Sequence, residues 1–330
     1  MNEKNRNGMK WLLGLLLTMM IVFTAACGST KDVENKPSNT PANTEQSASN
    51  EPAPSDSATV YPLTLKDDTG TEVIFEQEPA KVVTLVPSET EAIYAIGSGG
   101  QVVGVDEWSN YPEEAASKPK VGDMTTNIEA VAALEPDLVL ASSSLNTEAI
   151  TKLRELNIKV FATDPLTYDA VIAKIENLGH IMNKQSEAAV IAEHMRSVKQ
   201  QVSEAVKGAE KKNVYLEFSP GWTVGSGTFL DELLTLAGGS NIAAASPGWY
   251  EVSAEDVVTK NPELIIYPAL KEDPNPIVVG IESRPGWDVI DAVKNKQMHA
   301  VTEDPLVRVG PRLADGLLEL AKVIHPDLIK

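Results

Sequence analysis

Between Ser186 and Glu210 the chain reads SEAAVIAEHMRSVKQQVSEAVKGAE. Within it Ala188, Ile191, Met195, Val198, Val202, Ala205 and Ala209 recur at steps of three and four. That spacing lays one apolar stripe along an amphipathic helix. No proline interrupts it and Gly208 stands near its end. Ser186 is placed to cap the start, with Glu187 at the positive end of the helix dipole. At 1.5 Å per residue the rod is about 37 Å long, more than most globular helices reach. The same short pattern flanks this rod on both sides. Glu129-Ala-Val131-Ala-Ala-Leu-Glu-Pro136-Asp137-Leu138-Val139-Leu140 precedes it, and Glu255-Asp-Val257-Val-Thr-Lys-Asn-Pro262-Glu263-Leu264-Ile265-Ile266 follows it, aligned without a gap. Each copy reads as a short helix, a proline turn and a buried strand, with Asn127 and Ser253 at the cap positions. The implied architecture is α/β: two similar lobes with largely parallel sheets, joined by one long rigid helix, with a ligand cleft between them.

The rest of the globular region fits that plan. Val60–Leu65 and Val73–Phe75 flank the turn Asp67-Asp68-Thr69-Gly70, a hairpin signal. Val82-Val83-Thr84-Leu85-Val86 reads as a buried strand. A helix follows, with Ser88 and Glu91 as a capping box and Gly97 as its stop. Strands are expected near 101–105, 137–141, 158–162, 213–218, 263–267 and 298–302. Helices are expected near 127–135, 147–156, 168–182, 228–236, 255–261, 286–294 and 311–324. Sites in such folds lie at the carboxyl ends of the strands.

The N-terminus is of another kind. Lys4, Arg6 and Lys10 precede the apolar run Trp11–Phe23, which is short for a membrane span, and then Thr24-Ala25-Ala26-Cys27. Residues 1–27 read as a targeting segment. Cys27 is the only cysteine, so no intrachain disulfide is possible. The alternative is an ordinary signal peptide with an incidental cysteine. Residues 28–58 hold almost no large apolar side chain and read as a disordered tether. The expected division is therefore 1–27 signal, 28–58 tether, 59–185 N-terminal lobe, 186–210 connecting helix and 211–330 C-terminal lobe. A formal net charge of −19 makes nucleic acid an improbable partner.

Candidate binding residues gather in the loops after strands. Trp108, Trp222 and Trp249 lie there, with Tyr111 and Tyr250 nearby. A single tryptophan in a loop usually plugs a local gap. Three, spread over both lobes, point to an aromatic cleft for a large, flat or apolar ligand. Trp287 opens a helix and reads as core. Arg308 and Arg312 bracket Val309-Gly310-Pro311, either on a surface loop or as cations facing the cleft for a carboxylate or phosphate. No Walker sequence, no G-x-G-x-x-G after a strand and no G-x-S-x-G is present. His180, His194, His299 and His325 lack metal-ligand spacing. No catalytic residue, cofactor or resident metal is expected.

Taken with these features, Val83-Thr84-Leu85-Val86-Pro87-Ser88-Glu89-Thr90-Glu91, Val103-Gly104-Val105, Tyr111-Pro112, Asn127-Ile128-Glu129, Pro136–Val139 and Arg308-Val309-Gly310-Pro311-Arg312 carry a resemblance. Over about residues 60–328 the chain resembles the substrate-binding lipoproteins of ABC transporters that take ferric siderophores, haem or cobalamin, and most the cobalamin branch. The resemblance implies a monomeric binding protein on the outer face of the cell membrane, anchored through a lipid on Cys27, although Thr24 replaces the usual aliphatic residue of the lipobox. It implies that Glu129 and Glu255 dock to arginines of a permease dimer, and that Trp108, Trp222 and Trp249 hold the ligand with Tyr111 and Arg308. Some relatives carry aromatics near Met124 and Ser142, which this chain lacks. A corrinoid is the expected ligand. A ferric siderophore or haem is the alternative, and a secreted α/β hydrolase is a third reading that would need a nucleophile–base pair.

Overall fold

In the computed structural model, which describes residues 58–329, the aliphatic runs form two four-stranded parallel sheets. In the N-terminal lobe the strands lie in the order Val102–Val105, Val82–Thr84, Leu138–Ser142, Val160–Thr163. In the C-terminal lobe the order is Gly239–Asn241, Lys212–Leu216, Leu264–Pro268, Met298–Val301. Numbered along the chain within each lobe, both sheets read second, first, third, fourth. Helices cover their faces, and the inner strands Val82–Thr84, Leu138–Ser142 and Leu264–Pro268 are accordingly rich in consecutive Val, Ile and Leu rather than alternating.

The sequence repeat is thus a topological repeat. Each copy is the crossover helix and turn that lead into the third strand. Ile128–Ala133 is capped by Asn127, whose Oδ1 accepts from Ala130 N at 3.0 Å. Ala254–Lys260 is capped by Ser253, whose Oγ accepts from Asp256 N at 3.4 Å. The acid after each proline does the same work in both lobes. Asp137 Oδ2 accepts from Ala80 N and Lys81 N, both at 2.9 Å, and Glu263 Oε2 accepts from Asn213 N at 2.8 Å. Each carboxylate therefore ties the third strand to the start of the first.

The connecting helix is Gln185–Ala205, 21 residues, or about 31 Å. It is shorter than the apolar pattern implies, because Val206 takes the cap position and Gly208 turns the chain at φ +77°. Lys184 precedes the first turn and Ser186 lies within that turn, so Ser186 is not the cap. Ala188, Ala192, Met195, Val198 and Val202 are buried, with Ile191 and Ala205 packed at the margin. The helix packs against Tyr168–Ile181 and Leu313–Ile324. Its stripe belongs to one continuous apolar cluster that runs from Val73 and Phe75 in the first lobe to Leu320 and Ile324 in the second. A smaller cluster lies in each lobe alone; Trp287, buried against Tyr215 at 5.7 Å, centres that of the C-terminal lobe.

Three local expectations change. No Ser88–Glu91 capping box forms on Pro87–Ala95: Val86 holds the cap position and Pro87 opens the helix with its φ already suited. The stretch 286–294 is a 3-10 turn, Trp287–Val289, and a four-residue helix, Asp291–Lys294. Trp222–Val224 and Trp249–Glu251 form a two-stranded antiparallel ribbon, unforeseen because each strand has only three residues. Cys27, the targeting segment and all but the last residue of the 28–58 stretch lie outside the described residues. Among the described residues no helix is long and apolar enough to cross a membrane.

Candidate functional site

A cavity of about 490 Å³ opens between the lobes, within the size range of small-molecule sites. Its N-terminal wall is built where parallel sheets place their sites. Leu85–Glu89 follow the first strand, Asp106 and Trp108 the second, Ser142 and Ser144–Asn146 end and follow the third, and Thr163–Leu166 end and follow the fourth. The opposite wall is Gly227–Phe229, Trp249 and Val307–Val309. Trp108, Met124, Leu145, Leu166 and Trp249 are each between 45 % and 63 % exposed, yet all five line this one cavity. Large apolar side chains left open together mark a binding surface.

Trp108, Leu145 and Trp249 are each held out by an identifiable local device. Asp106 Oδ2 accepts from Trp108 N at 2.9 Å, a turn that projects the indole. Burial raises the Asp106 carboxyl above its usual range, against the opposing hydrogen bonds from Ser109 and Trp108 N. Behind it, Ser109 Oγ bonds Asp106, Thr90 Oγ1 lies 2.7 Å from Ser109 Oγ, and Thr84 Oγ1 lies 2.6 Å from Thr90 Oγ1. This buried chain fastens the Trp108 loop to the first strand. Asn146 Oδ1 accepts from Ser142 N at 2.9 Å and Ser142 Oγ from Leu145 N at 3.1 Å, which turns Leu145 outward. Trp249 stands edge-on to Phe218 at 6.4 Å. Its ribbon needs glycine at 225, where a Cβ would stand 1.8 Å from Ser246 O.

The other expected residues are distributed differently. Trp222 stands outside this lining, 44 % exposed. It pairs with Glu251 while Trp249 pairs with Val224, so strand alternation sets both indoles on one face of the ribbon. Tyr111 faces a separate hollow with Tyr94, Pro311 and Arg312, the Arg312 guanidinium 4.1 Å over its ring. Arg308 does line the cavity, but its guanidinium is engaged. Nη1 donates to Glu91 Oε1 at 2.8 Å and Asn110 Oδ1 at 2.9 Å, and Nη2 lies 3.0 Å from Asp304. Arg312 joins it, donating through Nε and Nη2 to Glu91 at 2.8 and 2.6 Å. Two arginines of the second lobe thus close on one buried carboxylate of the first. Sequence reasoning left both arginines either on a surface loop or facing the cleft, with Arg308 alone named for the ligand, and it missed their tie to Glu91, because an acid in a capping-box position had a local explanation already.

Glu129 and Glu255 are exposed and each is the second residue of its helix. Crossover helices run antiparallel to their strands, so both lie toward the strand ends that build the cavity. Among the described residues no group of three or more His, Cys, Asp or Glu could hold a metal ion.

The sequence profile of the periplasmic binding proteins matches residues 82–305. The chain belongs to this family. It is therefore a binding component and not an enzyme, and the hydrolase reading falls. A Bacillus subtilis (strain 168) protein described as an uncharacterized ABC transporter substrate-binding lipoprotein, YvrC, is 35 % identical over 337 aligned positions covering 99 % of both chains. A cobalamin-binding protein of Halobacterium salinarum (strain ATCC 29341 / DSM 671 / R1) is 31 % identical, over 84 % of this chain and 78 % of its own. The crystal structure of the Vibrio cholerae periplasmic vitamin B12-binding protein BtuF superposes with a TM-score of 0.68 at 28 % identity, covering 74 % of this chain and 96 % of that one.

Proposed function

We propose that this binding protein captures cobalamin or a related corrinoid outside the cytoplasm and hands it to the permease of an ABC importer. The observation that carries the reading is the chemistry of the cavity wall. It is apolar and aromatic at its mouth, it includes the carboxylates Glu89, Asp106, Asp123 and Asp164, and its one lining arginine is tied to Glu91 and Asp304. A corrinoid has broad apolar ring faces and an edge of neutral primary amides, which donate hydrogen bonds to acids. Haem carries two propionates and most ferric siderophores are anionic, so both would meet like charge without a free cation to offset it. The B12- and cobalamin-binding names of two relatives point the same way.

On this reading Cys27 carries the lipid anchor, residues 28–58 span from membrane to binding domain, and Glu129 and Glu255 are acidic posts for arginines of two permease subunits. The lipoprotein relative, matched along 99 % of both chains, supports the anchored location. The test is calorimetric titration of the purified protein with cyanocobalamin, haemin and a ferric hydroxamate. Cyanocobalamin should bind at least a hundredfold more tightly than either iron ligand; tighter binding of an iron ligand would overturn the assignment.

A further inference from the structure

Glu89 sits in the wall of the cavity with its side chain only 2 % exposed. Two donors converge on the same oxygen. Lys174 Nζ reaches Oε1 at 2.9 Å and Thr163 Oγ1 donates to it at 2.8 Å, while Lys174 also donates to Val309 O at 2.7 Å. The other oxygen, Oε2, is buried and has no hydrogen-bond partner among the described residues. A carboxylate oxygen can accept two bonds, and leaving one buried and unpaired is costly. The arrangement also fixes the carboxylate. It stands in the first turn of Pro87–Ala95, where the helix dipole favours negative charge, and Lys174 compensates that charge from the far side. The carboxyl is therefore paired with Lys174, oriented and short of one donor.

We infer that Glu89 Oε2 is a ligand subsite that accepts a hydrogen bond from a neutral N–H donor, the primary amide of a corrinoid side chain, and rejects a carboxylate at the same place. This rests on the corrinoid reading above and adds to it a residue and a selection rule. Lys174 cannot rescue an acidic ligand, because its ammonium is buried on Glu89 Oε1 and Val309 O. A ligand carboxylate would place two anions together in a poorly solvated wall, whereas an amide fills the vacant acceptor. Sites built around a buried polar partner discriminate strongly, since the wrong ligand leaves that partner unpaired. Asp106 differs, because Trp108 N and Ser109 already bond both of its oxygens.

The experiment compares cyanocobalamin with its separate monocarboxylic acids, each having one ring-edge amide hydrolysed, by titration of the full chain in detergent at pH 7. At least one of these acids should bind roughly ten- to hundredfold more weakly than the parent, the range expected for a hydrogen bond to a charged group. The same titrations on Glu89→Gln/Lys174→Met, which removes both charges and keeps each side chain close to its original bulk, should close most of that gap. Melting curves of the variant establish that it is folded. If wild type binds cyanocobalamin and every monocarboxylate within twofold, the subsite is refuted while the corrinoid reading stands. A gap that persists unchanged in the double variant also refutes it. Failure of wild type to bind any corrinoid removes both readings together.

Discussion

Replacing Glu91 by Gln tests whether the lobes are latched by charge. The carboxylate is on the first lobe and 2 % exposed; Arg308 and Arg312 of the second lobe are 12 % and 22 % exposed. Removing one member of a buried ion pair costs about 3–5 kcal/mol, chiefly because the survivors stay buried and uncompensated. Here both guanidiniums keep some solvent and keep Asp304 as a partner at 3.0 and 3.6 Å. That places Glu91→Gln near the low end or just below it, about 2–3 kcal/mol. For a domain of this size such a loss lowers the melting temperature by roughly 4–12 °C. Scanning calorimetry measures it directly. A second variant separates charge from packing. Glu91→Met/Arg308→Met/Arg312→Leu replaces the cluster with apolar groups of similar bulk and should recover most of the loss. A melting temperature for Glu91→Gln within 1 °C of wild type would show that the pairs contribute nothing across the seam. A triple variant as unstable as the single one would show that shape, not charge, was being measured.

Trp249→Ala should weaken corrinoid binding by at least about 1 kcal/mol, roughly fivefold in Kd, while Trp222→Ala, outside the lining, should cost less; tryptophan fluorescence titration decides between them. Burial alone would raise the Asp67 carboxyl, but hydrogen bonds from Thr69, Ala162 N and Thr71 N, with Arg154 beside it, outweigh burial and hold it below its ordinary value. Its stabilisation is therefore present above about pH 4 and lost as pH falls through the depressed folded value. Asp67→Asn should be less stable at pH 7 yet lose less on acidification, as read by urea unfolding between pH 3 and pH 7. Glu129→Ala with Glu255→Ala should leave ligand affinity intact and reduce uptake in cells at matched expression, more than either single change; normal uptake would remove the docking role. Cys27→Ser should shift the protein out of the membrane fraction with ligand affinity unchanged, which fractionation and immunoblotting would check.

The alternation of strand and helix was legible because parallel strands buried on both faces must be continuous aliphatic runs, as Leu138–Leu140 and Leu264–Ile266 are. The repeat was legible for a deeper reason. Asp137 and Glu263 make the same tie to the first strand, so two distant stretches carry the same constraint. The site was only partly readable. Trp108 and Trp249 stand in the cavity wall because large apolar residues in loops have few other uses. The partners of Tyr111 and Arg308, both expected at the ligand, could not be read from sequence, since their contacts cross the lobes: Arg308 meets Glu91 and Asn110 from about two hundred positions away. Glu89 gave no local signal either, because its partners Thr163 and Lys174 sit on separate later elements.

The shared core bears on when this chain can fold. Part of the apolar stripe of the connecting helix is covered by Leu313–Ile324, and Glu91 receives its cations from positions 308 and 312. A ribosome adding about 5–20 residues per second needs on the order of ten seconds to pass from the end of the connecting helix to that last helix. During that interval the first lobe has its sheet but lacks its closing surface and its counter-ions. On the proposed role outside the cytoplasm, which requires the chain to cross a membrane, the delay is useful. The polypeptide stays pliable until nearly all of it has been made, and locks only when its final helix arrives.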